Sequence, residues 1–144
     1  MERYLDPYWA EIASKPENIA EQAAIIWKCI YGVLFIYLDS SANWLVRKHE
    51  VLSSNSVAEL RNLYKALGLE WTKTVEDDVV EYTRGGNPVT APEGTIHQIR
   101  WDSAAIVSRW KEILTKEEIA GVYRITRQVS DRLYTDEDWG NYSL

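Results

Sequence analysis

Few residues in this chain could do chemistry. His49 and His97 lie 48 positions apart and share no spacing with Cys29, the one cysteine, so no zinc-ligand pattern exists. Cys29 stands among Ile25, Ile26, Ile30 and Tyr31, a setting that predicts a buried structural thiol. Gly85-Gly86 matches neither glycine-rich phosphate loop and reads as a plain turn. Glu76, Asp77, Asp78 and Glu81 form an acidic group at helical spacing, which reads as a solvated helix face with no metal. Arg100 and Ser103 are the candidates for ligand binding. Arg100 follows a Gly- and Pro-rich loop and precedes Asp102 and Ser103 at the start of a predicted helix. A guanidinium and a hydroxyl at such a place can take a phosphate through bidentate hydrogen bonds and amide donors. On the residues alone the plainer reading is different: Arg100 pairs with a nearby carboxylate and Ser103 merely sits in a first turn. No catalytic residue is assigned.

The elements that must position these side chains are mostly helices. Ser14-Lys15-Pro16-Glu17 has the form of a capping box, predicting a helix to about Leu38 with Ile19, Ala23, Ile26, Ile30 and Leu34 inward. Its second half, with Trp27, Val33, Phe35 and Tyr37, is apolar nearly all round and demands burial on several sides. Trp44 to Arg47 reads as a short strand. Ser56-Val57-Ala58-Glu59 predicts a second capped helix with Val57, Leu60, Leu63, Tyr64 and Leu67 inward and Gly68 as its left-handed stop. A shorter acidic helix spans Thr74 to Tyr82. The loop from Arg84 to Gly94 follows, and Asp102 is placed to cap a helix carrying Ala105, Ile106 and Trp110. Thr115-Lys116-Glu117-Glu118 is a third capping box, with Ile119, Val122, Tyr123, Ile125, Thr126, Val129 and Leu133 inward. The expectation is one mainly α domain over 1–144 with one or two short strands and a frayed tail at 135–144. A lone strand is unstable without neighbours for its backbone donors and acceptors.

Composition narrows the class. The chain has 144 residues, 46% apolar and 26% charged, enough to bury a core. Seven Trp and nine Tyr against one Phe fit a core or groove rich in amphipathic rings. A net charge of −6 argues against nucleic acid as partner. One cysteine permits no internal disulfide and the N-terminus is no signal peptide, so the cytoplasm is the expected compartment. The most apolar stretch, Ala23 to Leu38, runs 16 residues and carries Lys28. A span needs about 20, so no membrane span is expected.

Several segments in order resemble the C-terminal half of sulfotransferases of the bacterial type that use 3′-phosphoadenosine 5′-phosphosulfate (PAPS). In that family a strand ends in a His-Glu-Asp-Leu or Tyr-Glu-Asp-Leu motif, and a helix then closes on Leu-Gly-Leu and an aromatic residue. Here the counterparts are His49-Glu50-Val51-Leu52 and Leu67-Gly68-Leu69-Glu70-Trp71. The family's later Arg-x-x-Ser segment is matched by Arg100 and Ser103. Trp110-Lys111 and Leu114-Thr115-Lys116-Glu117-Glu118-Ile119 match the segment that follows. Tyr4 to Trp9 and Trp27 to Tyr31 are similar to the family's middle. Val51 stands where the family has Asp, and two motifs have no counterpart: the loop gripping the 5′-phosphosulfate and the central motif for the 3′-phosphate.

The resemblance implies the C-terminal part of an α/β three-layer, P-loop-like sulfotransferase fold, with Arg100 and Ser103 edging the 3′-phosphate site. PAPS is the implied cofactor of the full-length enzyme, with no tight binding expected here. It also implies sulfuryl transfer to a hydroxyl or amine, inactivity of this chain alone, and association with an N-terminal half or a second copy. The alternative is a non-catalytic helical interaction module that homodimerises through its apolar helix 17–38.

Overall fold

The computed structural model describes residues 2–40, 43–94 and 97–140. It is mainly helical, and none of the described residues forms a strand. The chain divides into two compact units, Met1–Leu45 with Leu114–Leu144, and Val46–Ile113.

The first unit is built on α3 (Ile19–Ser40) packed along α9 (Lys116–Ser130). Before them come α1 (Glu2–Leu5), a 3-10 turn (Asp6–Tyr8) and α2 (Trp9–Ser14). Lys15 ends α2 in the left-handed region at φ 45°. That sets the start of α3 differently from the sequence expectation. Asn18, not Ser14, is its cap: the Asn18 Oδ1 accepts from the Ala20 and Glu21 amides at 2.8 and 3.3 Å. The face expected inward is also corrected. Ile19, Ile26 and Ile30 are exposed, while Ala24, Ile25, Lys28, Cys29, Gly32 and Phe35 are buried. A helix apolar on both sides gives periodicity no way to choose, and the buried face is the one that also carries Lys28 and its ion pair. Glu21 pairs with Arg124 at 3.0 Å, Lys28 with Glu11 at 2.6 Å, and Asp39 with Arg132 at 2.6 Å.

Helix α9 follows its sequence signals. Thr115 Oγ1 accepts from the Glu118 amide at 3.2 Å and Glu118 Oε2 from the Thr115 amide at 2.9 Å, the reciprocal capping box. Ile119, Tyr123, Thr126 and Val129 are buried against α3, with Gly121 beside Glu21. By length and composition α3 is also able to cross a membrane, and a third of that window is buried inside the unit. Residues 136–139 form one further turn, α10 (Asp136–Trp139), with Trp139 edge-on to Tyr123 at 5.1 Å. Residues 141–144 of the expected frayed tail lie outside the described residues.

The second unit holds α4 (His49–Ser54), α5 (Ser56–Ala66), α6 (Lys73–Thr83), α7 (Ser103–Ile106) and α8 (Trp110–Ile113). The expected strand at Trp44 to Arg47 is not there. Trp44, Leu45 and Val46 are exposed and outside any helix, and among the described residues no other strand exists to pair with them. The expected box at Ser56 is shifted too: Ser56 is the first residue of α5, and its Oγ donates back to the Ser53 carbonyl at 3.3 Å. The C-terminal stop is as expected. Gly68 takes φ 69°, and the Leu69 and Gly68 amides reach the Tyr64 and Lys65 carbonyls at 2.8 and 3.2 Å. Thr72 caps α6 through the Val75 amide at 3.2 Å. Among the described residues, all fully buried side chains belong to the first unit.

Candidate functional site

Helix α6 and the loop after it position Arg100. Thr83 ends the helix, Arg84 is extended, and Gly86 turns the chain at φ 86°. From there a set of backbone bonds folds the loop back on the end of α6. The Trp101 amide donates to the Tyr82 carbonyl at 2.8 Å and the Asp102 amide to the Pro88 carbonyl at 3.2 Å. Asn87 Nδ2 clamps the two arms, donating to the Glu81 carbonyl at 2.9 Å and the Trp101 carbonyl at 3.3 Å. Trp101 Nε1 donates to the Gln98 carbonyl at 3.0 Å. On this side of the loop 97–102 is a braced structure; residues 95 and 96 lie outside the described residues.

Arg100 turns toward α6. Its guanidinium pairs with the Glu81 carboxylate and lies 6.0 Å from the centre of the Tyr82 ring. Its side chain is 55% exposed and that of Glu81 is 47% exposed, so the pair is screened by water. Ser103 is the first residue of α7, half-buried. Asp102 caps that helix start and ties it to the loop: its Oδ1 accepts from the Ala105 amide at 3.0 Å, and Oδ2 from the Gly86 amide at 3.1 Å. Asp102 thus occupies the place where a helix start would hold an anion. Arg100 is thus turned to α6 and Ser103 stands at the start of α7, with Asp102 between them.

The other sequence candidates are absorbed by the fold. His49 Nε2 meets Ser53 Oγ at 3.2 Å within α4. In the acidic group, Glu76 binds Arg61 and accepts from Trp71 Nε1 at 2.9 Å, and Asp77 pairs with Lys73. Trp71 and Arg61 hold the Glu76 carboxyl below its ordinary range.

Sequence reasoning missed a polar cluster in the first unit. The ammonium of Lys28, a residue only 5% exposed, reaches Glu11 Oε1, while Glu11 Oε2 is buried with no hydrogen-bond partner. Tyr8 and Cys29 complete the cluster. Burial raises both the Cys29 thiol and the Tyr8 phenol above their usual values, and the Glu11 carboxylate adds to each. Such a thiol is protonated and weakly nucleophilic. The signal available in the sequence was Lys28 itself, a charge inside an apolar run that had to find a partner.

No family model matches this chain, and neither a curated protein nor a solved structure matches it.

Proposed function

We propose that this chain is the C-terminal portion of a PAPS-dependent sulfotransferase, inactive alone, whose second unit supplies one edge of the grip on the nucleotide's 3′-phosphate. The ordered run of motifs from His49 to Ile119 supports the reading. One geometric observation carries it. Arg100 sits on a braced loop with its guanidinium exposed, held by a single surface carboxylate and followed three positions on by a hydroxyl. An exposed pair such as Arg100–Glu81 contributes about 0.2–1 kcal/mol, so a dianionic phosphate can replace Glu81 at small cost.

In the complete enzyme the sulfuryl group would pass in line from PAPS to an acceptor hydroxyl or amine. A base would take the acceptor proton, and cations would stabilise charge on the transferring oxygens. Those groups belong to the motifs this sequence lacks. The chain's own residues would bind and orient: Arg100 and Ser103 at the 3′-phosphate, with Asp102 fixing the loop.

Nuclear magnetic resonance titration with adenosine 3′,5′-bisphosphate tests the reading. The expected result is millimolar binding, about 4 kcal/mol, with shifts at Gly85, Gly86 and residues 100–105. Adenosine 5′-monophosphate, lacking the 3′-phosphate, should leave those residues unmoved. No response to the bisphosphate, or the same response to both nucleotides, overturns the proposal.

A further inference from the structure

Helix α3 carries its charges on one side. Its three charged residues, Glu21, Lys28 and Asp39, each make an ion pair within the first unit, Lys28 buried and the other two pairs at the surface. The opposite face carries Ile19, Ala23, Ile26, Ile30, Val33 and Tyr37. All but the half-buried Val33 are exposed. These six recur at alternating spacings of four and three, which is the seam of a two-stranded coiled coil and runs about 27 Å along the helix. At about 100° per residue they stay within one narrow stripe, and the positions flanking it carry no charge.

The stripe is complementary to itself in one orientation. In an antiparallel pair, Ile19 meets Tyr37, Ala23 meets Val33 and Ile26 meets Ile30, each layer setting a smaller side chain against a larger one or like against like. A parallel pair would stack Ala23 on Ala23 and Tyr37 on Tyr37, leaving a void at one end and crowding at the other. Along α3 itself the positions flanking the stripe hold no Asp, Glu, Lys or Arg, so those helix positions meet their copies without like-charge repulsion. The antiparallel register also gives Ile19 a seat. Ile19 is 79% exposed, and beside Tyr37 an open groove of about 530 Å³ is lined by Tyr4, Leu5, Cys29, Ile30, Val33 and Tyr37. We propose that the outer face of α3 is a homodimer interface, an antiparallel pairing with the same helix of a second copy in which each Ile19 enters the partner's groove. The proposal stands independently of the sulfotransferase reading.

Sedimentation of the whole chain, with far-UV circular dichroism as a folding check, tests it. Wild type is expected to be a dimer at micromolar concentration. Ile26→Lys puts two ammonium groups into the central layers and should weaken association by roughly 100-fold or more, with the helical spectrum unchanged because Ile26 is exposed in the single chain. Val80→Lys, on an exposed apolar residue of the second unit, should leave the dimer intact. For the register, Ile26→Cys and Ile30→Cys chains, each also carrying Cys29→Ala, are mixed and oxidised. The mixed disulfide should dominate, since only that pairing brings Cα atoms within reach, about 4.4–6.8 Å. Disulfides joining like positions overturn the antiparallel register. A wild-type monomer overturns the interface, and if that monomer cosediments with phosphatidylcholine vesicles the face belongs to a bilayer. An oligomer that Ile26→Lys leaves intact overturns it as well.

Discussion

Removing either member of the Lys28–Glu11 pair should cost very different amounts. The Lys28 side chain is 7% exposed and that of Glu11 is 39% exposed. In Glu11→Gln the ammonium stays in place with its counterion gone and no route to water. Breaking a fully buried pair in this way costs about 3–5 kcal/mol, and water reaching the Glu11 side puts this one at the lower end, about 3 kcal/mol. In Lys28→Met the volume is kept and the surviving carboxylate can turn its exposed side to water, so the loss should be about 1 kcal/mol. The double variant Glu11→Gln/Lys28→Met has no stranded charge and should be more stable than Glu11→Gln alone, a coupling of about 2 kcal/mol. Urea unfolding of the four chains, read by circular dichroism at constant slope, measures all three terms. If Lys28→Met costs as much as Glu11→Gln, the asymmetric burial does not govern the pair and the reasoning fails.

Three further outcomes follow from the buried core and the paired acids. Ile119→Ala, at a site 1% exposed, should destabilise by about 2–5 kcal/mol in the same urea assay, whereas Ile113→Ala, 65% exposed, should change it little. A Cβ at Gly32 would lie 1.8 Å from Tyr8 Oη, so Gly32→Ala should cost about 1–3 kcal/mol, and Tyr8→Ala should relieve part of that loss in the double variant. Asp39 is held below the usual carboxylate range by Arg132, Glu76 by Trp71 and Arg61, and Glu118 by the Thr115 amide and Asn18. Carboxyls depressed in the fold add stability that is present above their unfolded values, about 4, and lost as pH falls through their lowered folded values. Melting temperature should therefore hold from pH 7 to 5 and fall below pH 4; a flat profile down to pH 2 would contradict this.

What the sequence disclosed was local. The Thr115 box and the Gly68 stop involve residues a few positions apart, and both formed as read. The Ser14 and Ser56 boxes matched the same pattern but lost to neighbours, Asn18 in one case and a chain already helical through Ser54 in the other. The inward face of α3 was not legible, because an apolar stripe on each side leaves the decision to tertiary packing against α9 and to Glu11, the remote partner of Lys28. The Trp44–Arg47 strand had the right residues and nothing to pair with. At the candidate site, Asp102 as a cap and Arg100 beside it were readable. Glu81 as the partner of Arg100 was not, since that contact exists only once Asn87 and Trp101 close the loop on α6.

The central claim is tested most directly by two substitutions with opposite expected signs. If Arg100 is a phosphate ligand restrained by Glu81, Glu81→Ala frees it and tightens adenosine 3′,5′-bisphosphate binding by up to about fivefold, the worth of an exposed ion pair. Arg100→Ala should weaken the same binding by about tenfold, the low end for a charge-assisted bond at a site open to water. Affinities that both variants leave unchanged, or that both weaken equally, would contradict the account.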